Sequence, residues 1–461
     1  MRYFIRLLAG VLIVAALTVK PGEGSQIFVL DFDSGGGGTS GHSYTPAERD
    51  QITSEMNAQF AKLGMSATQV PPASGPFSTV TFNAASAGTA SVDLRNADKE
   101  DGALVNANLM LEILGVPPAQ ITSEKIVRTS INIGMHEALH LVGARHQDSF
   151  TLPGQGVSSS SLRDNFDPPY LGPFVADLSP RTFMSLTTLL GISEEKLALD
   201  DFFISPRTAL KAVVGEEVSP IAQLSGINSP FTPQPIIPTR FNLPNTLPAD
   251  LPLPPELADI LPPGTTADQV PLFAEAVVVT GTITQAEIDD DDISPSHYYA
   301  VPIIPGAPYT IEVFSDVLGH RSGFTSFDTA LTVIIRDPAT GGPALHPYYG
   351  TPGNPNRDGW EGIDPAMVDL IAPSGPSAFE FEGVPFMIVE VWSQSGFGQE
   401  PEAGDYELII YTIGVVPEPA TLALLGIGSI SLVGSGRRRR RHAPPQLRHT
   451  RNLNRRHHQR R

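Results

Sequence analysis

Residues 135–150, MHEALHLVGARHQDSF, carry His136, Glu137, His140, Gly143 and His146, in a chain of 461 residues with only 11 histidines. On a helix, residues four apart share a face, so His136 and His140 can point two imidazoles at one ion. Glu137 lies one step round, within reach of a water on that ion rather than of the ion itself. Gly143 can end the helix in the left-handed conformation that side chains resist. The chain then turns sharply, and His146 can return as the third ligand. Three neutral imidazoles with one open position suit catalytic zinc. Such an ion lowers the pKa of its water toward ~7, and a carboxylate then accepts the proton during attack on a carbonyl. The plainer reading is a helix with scattered surface histidines. HExxH alone would leave that reading serious, but the extended HExxHxxGxxH spacing fixes five identities.

At these residues the sequence resembles the reprolysin-like metzincin zinc metalloproteases, over about residues 25–215. The resemblance implies an upper subdomain of strands and helices, a zinc helix, and a turn carrying a methionine beneath the metal. Met184 in RTFMS occupies the matching place in chain order. Some members carry a tyrosine two residues later, where this chain has Leu186. The stretch between His146 and Met184 is long. Asp148 reads as an ordinary loop acid, with orientation of an imidazole as the alternative.

The elements that must position these residues are legible in outline. SQIFVLDFD (25–33) alternates like a strand and runs into a glycine turn. Residues 45–64 predict a helix with Thr45 as cap, Pro46 in the first turn, Gly64 at the end and one apolar stripe of Ile52, Met56, Phe60 and Leu63. FSTVTFNAA (77–85) predicts a strand, and residues 101–115 a second helix. Residues 123–143 predict the zinc helix, with Ser123 as cap and Glu124 at the positive end of its dipole. A turn and a helix close the domain near residue 215. Residues 216–273 are proline-rich and predict a semi-rigid linker with few contacts across it, so that residues 25–215 should work alone.

From 274 to 415 the texture changes to short β runs punctuated by Gly, Pro, Asn and Asp. That pattern predicts an antiparallel β-sandwich. The region resembles the pre-peptidase C-terminal domain of secreted bacterial proteases at Gly281, Asp328, Thr329, Gly404, Asp405 and Tyr406. The resemblance implies an accessory module that binds or presents substrate. Asp289–Asp292 offers hard oxygen ligands for calcium, Ca2+, with a solvated acidic turn as the plainer account. The expected fold class is thus an α+β metzincin-like domain followed by an antiparallel β-sandwich.

Composition narrows the setting. There is no cysteine, which excludes disulfides, thiol catalysis, zinc ribbons and a cysteine-based latency device. Residues 437–461 hold 11 arginines and no acid, so the remaining 19 basic residues face all 49 acidic ones, a net of −30. An acidic body repels nucleic acid. Residues 1–24 read as a secretory signal, with Arg2 and Arg6 before the apolar run Leu7–Val19 and Gly22 and Gly24 near the cut. Residues 416–441 resemble the PEP-CTERM sorting signal of bacteria: Pro417, Glu418 and Pro419, then the apolar Ala420–Val433, then Arg437–Arg441. That resemblance implies transient membrane insertion, processing by an exosortase-type enzyme, and release to the cell surface or an exopolysaccharide matrix. Residues 442–461 form a basic tail with no assigned role.

Together these features predict an exported zinc-dependent endopeptidase acting on polypeptides, with His136, His140 and His146 on Zn2+ and Glu137 as general base. The alternative is a non-catalytic matrix or adhesion protein that keeps the fold. The retained Glu137 favours the enzyme.

Overall fold

The computed structural model describes residues 26–35, 41–149, 181–186, 192–224, 229–253, 261–290, 295–346, 364–393 and 401–415. The signal and sorting segments, and most of the stretch between His146 and Met184, lie outside the described residues.

The N-terminal half is built on a five-stranded sheet of β1 (Ile27–Asp31), β2 (Ser66–Thr68), β3 (Ser78–Phe82), β4 (Gly88–Ala90) and β5 (Gly102–Val105). Their order is β2-β1-β3-β5-β4, with β4 antiparallel to β5 and the other pairs parallel. The first helix, α1 (Pro46–Phe60), starts at Thr45 in a capping box with Glu48, and it buries Ile52, Met56 and Phe60. Residues 101–115 do not form one helix. Gly102–Val105 alternates exposed and buried and joins the sheet as β5. The Asn106 side chain then accepts the Leu109 N–H and starts the short α2 (Ala107–Ile113). The periodicity changes from two to helical at that asparagine, and a single window across it blends the two. Next comes α3 (Ser123–His140), capped by Thr122 rather than Ser123; the Ser123 hydroxyl instead donates to Glu48. Two further helices follow, α4 (Glu194–Leu197) and α5 (Pro206–Glu217).

The stretch from 216 to 273 does more than connect. It supplies β6 (Ile221–Ala222), β7 (Gln234–Pro235) and β8 (Thr239–Leu243) to the sheets that follow, and it buries Ile236, Phe241, Leu247 and Val270. Its prolines are compatible with this because these short strands lie at sheet margins, where a missing N–H costs no ladder bond. Thr246 donates to the Ile204 carbonyl at 2.6 Å, which straps the segment to the N-terminal half.

The β runs form β9 (Leu272–Ile283), β10 (Ser296–Pro302), β11 (Pro308–Phe314), β12 (Thr329–Arg336), β13 (Pro343–Leu345), β14 (Ala366–Ile371), β15 (Phe379–Phe381), β16 (Val384–Ser393) and β17 (Gly404–Val415). Among the described residues they make two sheets, β13-β12-β16-β10-β7 with β15 on β16, and β14-β11-β17-β9-β6 with β8 on β9. The chain is thus mixed, with several sheets and few helices, and fits an α+β layout. Gly281 faces Tyr406 across the β9–β17 ladder, and a Cβ there would sit 2.4 Å from the tyrosine ring.

The second of these sheets is buried on both faces. Val277, Val279, Leu408 and Ile410 face the first sheet and form the sandwich core. Ala276, Val278, Ile409, Tyr411 and Ile413 alternate with them, and they share a core with Phe203, Leu210 and Val214 of the N-terminal half. The two halves therefore meet across apolar surface, where the linker composition had predicted few contacts. A fragment of residues 25–215 would leave that surface in water, and we expect it to aggregate or lose cooperative unfolding. Size-exclusion chromatography and thermal melts of fragment and full chain check this. A monomeric fragment melting near the full chain would show independent folding.

Candidate metal centre

The buried part of α3 carries the first two candidate ligands, His136 and His140. From Thr129 to His140 every residue of the helix is buried, because the sheet, α1 and the turn at Phe183–Ser185 enclose it. His136 and His140 are each 5 % exposed and Glu137 is 6 % exposed. The helix ends as its sequence requires. Gly143 has φ +90°, its N–H donates to the His140 carbonyl, and the Ala144 N–H donates to the Leu139 carbonyl. A Cβ at Gly143 would lie 2.8 Å from the Leu94 α-carbon, so both conformation and space demand glycine. The reversal returns the chain as the 3-10 turn His146–Ser149.

This turn brings the third imidazole to the other two. His136 Nε2 stands 3.2 Å from His140 Nε2 and 3.2 Å from His146 Nε2. The opposite edges of the first two rings fix their tautomers. His136 Nδ1 donates to the Phe183 carbonyl at 2.8 Å, and His140 Nδ1 to the Ala144 carbonyl at 2.8 Å. A carbonyl only accepts, so each Nδ1 holds a proton, and the neutral ring in that tautomer has its Nε2 lone pair free to face the shared centre. Lone pairs aimed at one another this closely repel unless a cation lies between them. Tetrahedral zinc, with bonds of about 2.0–2.1 Å, places its ligand nitrogens about 3.3 Å apart. The three side chains therefore fit such an ion, and they form a group that could hold a metal.

Met184 lies in the turn Phe183–Ser185 and is 1 % exposed. The turn serves the site through its neighbour's carbonyl, since Phe183 is the acceptor for His136. Lys196 on α4 donates to the Ser185 carbonyl at 2.6 Å and holds the turn from the other side. Leu186, in place of a tyrosine, is buried.

Asp148 is not an ordinary loop acid, nor does it orient an imidazole. It is 1 % exposed, and its Oδ2 accepts the Arg145 N–H at 2.7 Å and pairs with Lys211 at 2.8 Å. Its carboxyl is pushed up to about 6, because burial outweighs the pull of the Lys211 ammonium and Glu312 adds repulsion. Nothing local to Asp148 signals this, because Lys211 and Glu312 are far from it along the chain.

Sequence reasoning also missed Gly88. A Cβ there would come within 2.4 Å of a Glu137 carboxylate oxygen. Strand β4, the terminal strand of its sheet, therefore runs directly against the acid. A lone glycine in a short strand carries no local signal of that approach.

Of the Asp289–Asp292 run, Asp289 falls in the short helix Gln285–Asp290, and residues 291–294 lie outside the described residues.

A family model of the PEP-CTERM protein-sorting motif matches residues 415–441. Such motifs mark proteins for export and cell-surface sorting and imply processing by an exosortase-type enzyme. No curated protein matches the chain. Among the described residues, no helix is long and apolar enough to cross a membrane.

Proposed function

We propose that the chain is an exported zinc-dependent endopeptidase. The observation that carries this reading is the convergence of three imidazole Nε2 atoms, with Glu137 next to the first of them on the same buried helix. Zinc in this position would supply Lewis-acid polarisation of the scissile carbonyl and acidification of water. The chain's own residues do the rest. The Phe183 and Ala144 carbonyls hold two rings in the ligating tautomer and raise their basicity. Glu137, one residue on from a ligand, accepts a proton at its carboxylate and returns it to the leaving amine. Gly88 leaves room for that carboxylate. Strand β4 ends its sheet, so an extended polypeptide can add along it and reach Glu137. Hydrolysis of an unstructured protein such as casein is the direct test. We expect cleavage that a chelator abolishes and added zinc restores. Metal-replete, folded protein without any cleavage would leave the non-catalytic alternative.

The sorting motif sets where this happens. Arg437–Arg441 resists crossing a membrane, so the C-terminus stays inside while the acidic body is exported. The short apolar run then holds Pro417–Pro419 at the outer interface, within reach of the processing enzyme. Cutting there would remove all 11 arginines of residues 437–461 and free an acidic product for the cell surface or the exopolysaccharide matrix. Mass spectrometry of the mature protein should find nothing beyond about Pro419. A surface-fraction peptide reaching Arg441 would overturn the sorting route.

A further inference from the structure

Two of the three ligands sit on one buried helix, but the third does not. His146 is in a short turn just beyond the end of α3, and its position depends on what holds that turn. Its neighbours Arg145, Gln147 and Asp148 are 0 %, 1 % and 1 % exposed. Each is held by the β-sandwich half, directly or through one lysine. Arg145 donates to the Val313 carbonyl at 3.4 Å and the Asp364 carbonyl at 3.2 Å, and its guanidinium lies 5.1 Å from the Phe314 ring centroid. Gln147 Nε2 donates to Glu312 Oε2 at 2.8 Å. Lys211 lies between Asp148 and the same Glu312 oxygen, at 2.8 and 2.7 Å.

The anchors are themselves fixed. Glu312, Val313 and Phe314 belong to β11, which pairs with β14 and β17 on its two sides. The Asp364 carboxylate accepts the backbone N–H groups of Ser315, Asp316 and Val317, which pins the chain as it leaves β11. Glu312 is 0 % exposed, and among the described residues it is the carboxylate that bonds Gln147 from the ligand turn and also meets Lys211.

We propose that Glu312 is a positioning residue of the metal centre, and that the β-sandwich sets the place of the third ligand. This rests on the reading of the histidine triad as a zinc site. The sandwich is then part of the site rather than an appended module. Groups that hydrogen-bond a ligand directly typically govern metal affinity by about 10–100-fold, and Glu312 acts one residue further out, through Gln147 and Lys211, so the low end applies.

A buried ion pair could equally be mere glue between the halves, and glue lowers thermal stability without changing the zinc affinity of folded protein. The experiment therefore measures zinc affinity of the full chain by chelator competition, well below each variant's melting temperature. Glu312→Gln is nearly isosteric and is expected to weaken zinc binding about 10-fold or more. The control is Asp369→Asn, which weakens the buried pair with Arg207 across the same interface at a carboxylate that bonds Arg207 rather than residues 145–148. It should melt earlier and bind zinc within about twofold of wild type. Should Glu312→Gln not fold, Gln147→Met cuts the same tie from the turn side, leaves Glu312 with Lys211, and is expected to weaken zinc binding severalfold.

Wild-type affinity in the folded Glu312 variant, or an equal loss in Asp369→Asn, overturns the positioning role and leaves the triad reading standing. A wild-type chain that takes up no zinc, or a His140→Ala variant that binds as wild type does, overturns the triad reading and this proposal with it.

Discussion

Glu137→Ala is expected to lower peptide hydrolysis by about 10²–10⁴-fold, the usual worth of general acid–base catalysis, while zinc content and melting temperature stay close to wild type. The geometry separates the two properties. Glu137 follows the ligand His136 by one residue, so its side chain leaves the helix at a different angle and is not part of the imidazole triad. Removing the carboxylate takes away the proton acceptor and leaves all three ligands. The packing consequence is small, because Gly88 presents no side chain to the acid. Elemental analysis, a thermal melt and initial rates on one preparation decide the matter. A variant as fast as wild type would show that another group takes the proton. A variant that loses zinc would place Glu137 among the ligands.

The second large effect concerns the ion itself. His136→Ala and His140→Ala should each reduce zinc from one per chain to none after dialysis, since two remaining imidazoles hold zinc poorly against buffer. His136→Ala has the further consequence of taking the ring Nδ1–H from the Phe183 carbonyl, which keeps only the Leu186 N–H. The turn carrying Met184 then loses its tie to α3, so this variant should also melt earlier than His140→Ala. The His140 Nδ1 bond runs four residues ahead, to the Ala144 carbonyl, so losing it disturbs the helix end rather than the Phe183–Ser185 turn. Zinc analysis and paired melts check both points. Well-folded wild-type protein without metal would remove the basis of the endopeptidase reading.

Much of the candidate site was legible because its rules are local. A helix places residues four apart on one face, and Gly143 adopts the left-handed conformation that stops the helix. The same holds for the N-cap at Thr45, and for the longer β runs after residue 272, whose alternation and punctuation marked β9, β10, β11, β12, β16 and β17 but not β13, β14 or β15. Local reasoning failed where two signals touched. In residues 101–115 a strand and a helix abut at Asn106, and one helix was expected. In residues 216–273 proline density masked strands that need only a sheet margin to pair with.

By itself the sequence determined the identity and spacing of the three histidines that the fold brings together, the acid next to the first of them, the helix stop and the sorting motif. Each of these depends on residues within a few positions of one another. Only the tertiary structure decided that Gly88 would lie against Glu137, that Phe183 would hold His136, and that Glu312 would reach the turn of His146. It also decided that β9 and β17 would bury both faces, one against the sandwich core and one against the N-terminal half. The near-continuous apolar run AVVV in β9 is consistent with two buried faces, but a run of that kind does not name what covers it. The physical reason is range. Helix periodicity and turn chemistry act over a few residues of chain, whereas a buried ion pair such as Lys211–Glu312 forms only once desolvation by the whole fold brings its partners together.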